Sequence, residues 1–403
     1  MPCQVCSFQT KEILSLGHHP PSDRFLSKDD LEKEEVFYPL KLVFCEKCKL
    51  VQLTFAVDPG LLFTDKFVYR TAFNNSLKAH FEGLVDFAVK KLNLGKGSFA
   101  VDIGSNDGTL LKNYLPYGIR ILGVDPSVVA DIANKEGVPT EKDFFNAGVA
   151  KKIAGLNGKA DIVTGTNVFA HVRDLGSLMA GIREILKDDG VFLQESHYLL
   201  DMVEKLQYDE IYLEHLRYYS LESLINLFSM FGMDVFHAER VGTHGGSIMT
   251  MACLKGKRRI GDSVKKILDV EKKSGVSTEN VLRSFSQRVF ANGSDLRSLI
   301  CKIKSEGRSI AAIGAPAKGN TILNFCKLDS RSIDYAAEKS DLKIGKFTPG
   351  MHIPVVSEEK LLRDQPEYAL LLSWNIKEEL VPKLRKLGYA GKIIIPNPNV
   401  EVI

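Results

Sequence analysis

The sequence predicts an α/β protein in three parts: a small cysteine-pinned N-terminal lobe, a central α/β domain and a second α/β domain at the C-terminus. Three observations predict it. Two Cys-x-x-Cys pairs, Cys3/Cys6 and Cys45/Cys48, flank the first stretch of the chain. Residues 100–110 run as an apolar strand, a glycine-bearing turn and a helix start. Residues 308–321 repeat that order far down the chain. The parts are expected at residues 1–58, 59–254 and 255–403.

Composition bounds the reading. The 403 residues are enough for two or three cores. Hydrophobic residues at 44% and charged residues at 26% are ordinary for a soluble globular chain. A net charge of +3 is too small to argue for nucleic acid as a partner. The basic run at residues 255–259 reads as a solvated linker. No apolar run reaches the roughly 18 residues a bilayer span needs. The first residues lack the basic end and apolar core of a signal peptide, so a cytoplasmic protein is expected. Disulfides are then not expected, and the seven cysteines need another account.

Each Cys-x-x-Cys pair makes a tight knuckle that points two thiolates at one place. Two knuckles make a closed tetrahedral sulfur site for structural zinc, with Cys3, Cys6, Cys45 and Cys48 as ligands. A redox dithiol is the rival reading. Cys253, Cys301 and Cys326 stand in apolar surroundings and read as core residues. Residues 59–92 read as a helical connector. Phe67, Tyr69, Phe73, Leu77 and Phe81 recur near helical spacing, either as a core stripe or with Tyr69 reaching into a cleft.

The central domain opens with a strand that ends in Asp102. The turn Gly104-Ser105-Asn106-Asp107-Gly108 follows, where a ligand's polar end could approach backbone at a helix N-terminus. A second strand ends in Asp125, as suits a pair of ribose hydroxyls. The middle glycine of G-x-G-x-x-G is missing, which favours S-adenosylmethionine (SAM) over NAD(P). An ordinary strand–helix turn is the third reading. A later strand ends in Thr166 and Asn167, with His171 just beyond. Ligands of open parallel sheets sit at such strand ends, so Asn167 and His171 are placed to face a cofactor or substrate. His171 could equally be a capping or core histidine. Another strand ends near His197. The stretch 208–220 then holds the densest acid–base groups of the chain, Tyr212, Glu214 and His215 among them. One helical turn would bring Tyr212 to His215, where a carboxylate neighbour tunes the imidazole. The competing reading is an amphipathic surface helix. A polar turn with His244 follows.

After residue 255 a charged helical stretch, about 260–306, leads to the second strand–turn–helix. Its turn holds Gly314, Lys318 and Asn320, small enough for phosphate or merely for close packing. Further strands are expected at 333–336, 368–372 and 392–395.

Taken together these stretches resemble one family, the SAM-dependent sugar C-methyltransferases. The resemblance runs end to end. It rests on the two cysteine pairs with Leu50-Val51-Gln52-Leu53 and on residues 102–110. It continues through Asn167-Val168-Phe169-Ala170-His171-Val172, Tyr212-Leu213-Glu214-His215 and His244-Gly245-Gly246-Ser247. It ends in residues 314–321 and 349–354. The family implies a zinc-binding lobe, a central SAM-binding Rossmann-like domain and a second Rossmann-like domain, with the substrate between the last two. It implies C-methylation of a nucleotide-linked 4-keto-deoxysugar at C-3, with thymidine diphosphate as the usual nucleotide, in deoxysugar biosynthesis. On this resemblance His215 is the base that forms an enolate and Glu214 holds or tunes it. Tyr212 and Tyr69 bind the sugar or its developing oxyanion. Asp102, Gly104, Asn106, Asp107, Asp125, Asn167 and His171 serve SAM, while His197, His244, Lys318 and Asn320 face the sugar nucleotide. Leu213 and Arg217 depart from the family pattern and bear on which sugar is used. A monomer acting on a small molecule is expected, with neither nucleic acid nor membrane as partner. The alternatives are an O- or N-methyltransferase, a non-catalytic nucleotide-sugar-binding protein and an NAD(P)-dependent sugar enzyme.

Overall fold

The computed structural model describes residues 1–62, 70–73 and 75–403; for Pro59, Leu61, Phe73, Asn75 and His244 it describes the backbone alone. Phe67 and Tyr69, and the side chains of Phe73 and His244, therefore lie outside the described residues.

The two cysteine knuckles are built alike. In each, the first cysteine's carbonyl accepts from the fifth residue, Ser7 N at 3.0 Å and Lys49 N at 2.8 Å. Those two residues both take the left-handed backbone, with φ of 57° and 64°. Behind the knuckles stands a four-stranded sheet of β1 (Lys11–His19), β2 (Tyr38–Phe44), β3 (Val51–Leu53) and β9 (Arg217–Tyr218), in that order. The last strand comes from far along the chain and pairs Tyr218 with Val51 and Arg217 with Gln52.

The central sheet has seven strands in the order β10-β11-β8-β7-β4-β5-β6. These are β4 (Phe99–Ile103), β5 (Arg120–Val124), β6 (Thr140–Glu141), β7 (Ala160–Thr166), β8 (Leu186–His197), β10 (Met233–Val241) and β11 (Ser247–Leu254). The first five are parallel; β11 and β10 close the edge antiparallel. All of β4 is buried because helices cover both faces, so it reads as a continuous apolar run. In β8 the two-residue period sorts side chains. Val191 and Leu193 pack with Phe81, Val85 and Ala88 of helix Asn75–Leu92, while Phe192 enters the core on the opposite face. The chain reverses its winding between β4 and β7, so their carboxyl ends frame a crevice.

The C-terminal sheet runs β14-β13-β12-β15-β16-β17. Its strands are β12 (Ile310–Ile313), β13 (Ala336–Glu338), β14 (Val355–Ser357), β15 (Tyr368–Leu371), β16 (Lys392–Ile395) and β17 (Glu401–Val402). Helices Asp262–Ser274 and Glu279–Ser305 carry the chain from one sheet to the other.

Three expectations are corrected. The strand expected at 333–336 lies further on, at Ala336–Glu338, because Asp334 turns aside to accept from Ile310 N at 2.9 Å. Residues 208–220 are no surface helix. They form a short 3-10 turn at Tyr208–Glu210, a β-turn and then β9, and nearly all of them are buried. Cys301 is exposed, because Ile300 and Ile303 take the inner face of their helix; Cys253 and Cys326 are buried as expected.

Candidate active site

Four thiols converge at the N-terminus. Cys3 Sγ and Cys48 Sγ are 3.5 Å apart, Cys6 Sγ and Cys45 Sγ 3.4 Å, and all four sulfurs lie within 4.8 Å of one another. A zinc–sulfur bond of about 2.3 Å gives a tetrahedron with edges of about 3.8 Å, so the set fits a closed, structural zinc centre. Redox pairing is disfavoured by the geometry, since the close contacts join the two knuckles instead of falling within either one.

The crevice between β4 and β7 is built for a ligand. Gly104 leaves β4 with φ 68°, and a Cβ there would lie 2.6 Å from Val168 Cγ2. Gly104 is exposed, so its backbone faces open space. Asn167, also left-handed at φ 57°, ends β7 with Oδ1 buried and without a hydrogen-bond partner. An orphaned acceptor at a switch point is what a bound donor would satisfy. Around this gap the acids shape the turn. Asp125 Oδ2 accepts from Asn106 N at 2.9 Å and its Oδ1 from Ser127 N at 2.9 Å. Asn106 Oδ1 accepts from Thr71 N, and Asp107 Oδ2 from Ala72 N. Asp102 accepts from Thr164 Oγ1, and burial pushes its carboxyl up to about 7, with Asp125 adding to the rise. The open Gly104 backbone and the unpartnered Asn167 Oδ1 fit a SAM site.

The acid–base cluster lies on the segment that crosses beyond β8. Tyr212 Oη and His215 Nε2 are 2.7 Å apart, joined by a β-turn in which His215 N donates to Tyr212 O. The expected pair thus forms without a helix. His215 Nδ1 lies 3.0 Å from the Glu210 carbonyl, which can only accept, so Nδ1 carries the proton and Nε2 holds the lone pair. The Tyr212 hydroxyl then donates to Nε2. His197 Nε2 stands 3.3 Å from Glu210 Oε2, and the His197 and His215 rings are 4.7 Å apart. One donor atom from each of His197, Glu210 and His215 falls within a 4.8 Å cluster. Both His215 nitrogens already have partners there, so the set reads as proton-handling machinery.

Several sequence-predicted residues take different places. His171 lies with this cluster: its Nδ1 donates to Glu214 O at 2.7 Å and its ring is 4.9 Å from that of His215. Burial pushes its imidazole down to about 4, so it stays neutral. The Glu214 carboxylate turns toward the N-terminal lobe and accepts from Ser22 N at 3.0 Å, while its other oxygen is buried without a partner. Burial, reinforced by Asp23, pushes it up to about 7. The bonds that fix the His215 ring run to Glu210 and Tyr212. Arg217 points away from this cluster. Its guanidinium donates to Val172 O and to Arg173 O, tying β9 to the loop after β7. Asn320 is buried and donates to Ser22 O at 2.7 Å. Lys318 is nearly enclosed and pairs with Glu210 at 3.2 Å and Asp209 at 3.8 Å.

Sequence reasoning gave no role to Glu210, nor to the trio Glu195, His80 and Thr243. Glu195 is fully buried at the end of β8, 2.7 Å from His80 Nε2, and accepts from Thr243 Oγ1 at 2.6 Å. The available signal was a carboxylate just past the apolar run Val191–Leu193, near the end of its strand.

Comparisons with known proteins give the family of the chain. Family models match over three successive stretches: a zinc binding domain over residues 3–63, a methyltransferase domain over 77–238 and a C-methyltransferase C-terminal domain over 242–398. The C-methyltransferase NovU of Streptomyces niveus is 33% identical over 405 residues, covering 100% of this chain and 96% of that protein. A ubiquinone biosynthesis O-methyltransferase of Azorhizobium caulinodans is 27% identical over 103 residues, 24% of this chain and 40% of that one. Among solved structures, an S-adenosylmethionine-dependent methyltransferase from Clostridium acetobutylicum is similar at a TM-score of 0.36 and 15% identity. That match covers 46% of this chain and 94% of that one.

Proposed function

This chain belongs to the SAM-dependent C-methyltransferases, and from that premise we propose that it methylates carbon beside a ketone in a nucleotide-linked 4-keto-deoxysugar, with C-3 as the position and thymidine diphosphate as the nucleotide. SAM supplies an electrophilic methyl group. The observation that carries the reading is the His215 ring: Nδ1–H is tied to Glu210 O, and Nε2 is left as the proton acceptor.

In this reading the substrate carbonyl draws the Tyr212 hydroxyl off Nε2. His215 Nε2 then takes the proton from the acidified carbon. The C–H bond's electrons form an enolate, whose oxygen Tyr212 steadies by hydrogen bonding. With SAM bound, the enolate carbon would accept its methyl group, the C–S bond breaking as the C–C bond forms. Asp102, Gly104, Asn106, Asp107, Asp125 and Asn167 hold SAM, and His171 stands behind the base as a neutral spacer. Tyr69 and His244 join the sugar site by resemblance. The domain limits at residues 58 and 254, a monomeric state and a cytoplasmic setting belong to the same reading. Among the described residues no helix is long and apolar enough to cross a membrane.

The test is methyl transfer from carbon-13-labelled SAM to a panel of nucleotide 4-keto-deoxysugars, followed by proton–carbon NMR. A methyl singlet on a quaternary carbon is expected. An oxygen- or nitrogen-bound methyl would overturn the carbon chemistry. His215→Ala is expected to lower turnover by roughly 1,000-fold or more while SAM affinity stays within about threefold; full activity in that variant would remove His215 as the base.

A further inference from the structure

A residue of the C-terminal domain reaches the turn that carries the partner of His215. Helix Ala317–Cys326 of the C-terminal domain packs against the Tyr208–Glu210 turn, and Lys318 reaches from its first turn onto two buried carboxylates. Asp209 has no exposed side-chain surface and Glu210 very little. Asp209 also accepts from Trp374 Nε1 at 2.7 Å, and Lys318 Nζ lies 5.7 Å over the Trp374 ring. Thr321 Oγ1 donates to Ile211 O at 2.9 Å on the same helix face. The clamped turn is the one that orients the base, because the Glu210 carbonyl accepts from both His215 Nδ1 and Tyr218 Oη. The Glu210 carboxylate meanwhile faces His197.

We propose that Lys318 is a positioning residue: by neutralising and holding Asp209 and Glu210 it fixes the Glu210 carbonyl, and so keeps His215 in the Nδ1–H form with Nε2 aimed at substrate. Base and C-terminal domain are then one unit, and the C-terminal sheet takes part in the chemistry without touching the reacting atoms. Without the ammonium, two buried carboxylates adjacent in the chain lose the one opposite charge they share, and their repulsion is unrelieved. Among the described residues the charged and titratable groups around His215 are Glu210, His197, His171, Tyr212, Tyr218 and Glu214, with Asp209, Lys318, Asp23 and its partner Lys343 behind them. Of these, Lys318 is the cation that touches the Glu210 carboxylate. The inference rests on His215 being the base, but its test does not require turnover.

The experiment is histidine ring NMR of the full chain labelled with nitrogen-15 histidine, with the His215 signal assigned by its loss in His215→Ala. Wild type is expected to show His215 as the single Nδ1–H tautomer. In Lys318→Met we expect mixed tautomers and a His215 titration midpoint higher by roughly half a unit or more, as loss of a nearby cation favours imidazolium. Lys318→Arg should restore most of both. With an accepted sugar, kcat in Lys318→Met should fall about tenfold while KM and SAM affinity change by less than about threefold. An unchanged His215 spectrum in a folded Lys318→Met protein would overturn the proposal. So would a raised KM with unchanged kcat, which would make Lys318 a direct ligand of the sugar nucleotide. Should Lys318→Met fail to fold, Glu210→Gln decides: the same tautomer change supports the proposal and an unchanged spectrum overturns it. An active His215→Ala protein would defeat the assignment of the base, whereas an unmoved ring signal defeats only the role of Lys318.

Discussion

The central and C-terminal sheets contain the same device put to different ends. Each winds outward from one strand and reverses beside it, β4 next to β7 and β12 next to β15. A left-handed glycine leaves the first strand in both, Gly104 at φ 68° and Gly314 at φ 79°. Each glycine's N–H donates at 2.8 Å to the end of the neighbouring strand, at Val124 O and Ala337 O. In both, the acid ending the second strand accepts a turn N–H, Asp125 from Asn106 and Glu338 from Ala315. The difference lies in what occupies the crevice. At the central sheet Gly104 is open and Asn167 Oδ1 lacks a partner. At the C-terminal sheet Gly314 is only partly exposed and Gly319 is buried, with Leu372 at 3.0 Å from where its Cβ would stand. A turn that leaves room for a ligand in one context closes on itself in another, and its helix becomes a wall of the neighbouring site.

Substitution at the two glycines should break this parallel most sharply. Gly104→Val, strained by its φ and by Val168, is expected to weaken SAM binding by about 100-fold or more, read by calorimetry. Gly314→Val should cost about 1–3 kcal/mol of stability and leave SAM affinity nearly unchanged. Equal losses of SAM affinity would mean that both turns bind the cofactor. The acids give a smaller contrast. Asp125→Asn should weaken SAM binding about tenfold while Glu338→Gln leaves it alone, since only the first turn lines the open crevice. The smallest effect separates the base segment from both turns. Glu214 binds its proton more tightly in the folded protein than in the unfolded chain, where it titrates near 4.5, so the stability it lends falls as pH rises from there through about 7. Glu214→Gln should therefore raise stability by about 2 kcal/mol at pH 8 and by almost nothing at pH 4 in thermal melts. A gain of equal size at both pH values would place the cause elsewhere.

Much of this was written plainly in the chain. The cysteine pairs, both strand–turn–helix units and the apolar strands were legible because each depends on local spacing. Tyr212 and His215 were legible as a pair because three residues bring them together in a β-turn as well as in a helix. Glu210 was not, because it acts through its carbonyl, which no side chain announces. Lys318 was read as a substrate residue because its partners lie 108 and 109 positions away in sequence. The surface-helix alternative for residues 208–220 failed for a related reason: their charges look solvated until β9 is seen to be drawn into the first sheet.

That stray strand has a consequence for durability. Cys48 lies three residues before Val51, and His215 three residues before Tyr218, the two residues that pair across β3 and β9. The proposed base, His215, is thus tethered to the cysteine lobe by one short two-residue pairing of backbone. Thiolates are the most oxidisable groups in the chain, and a knuckle that loses its metal loses its shape. Oxidative damage at the lobe would therefore pass by way of that pairing to the reaction itself.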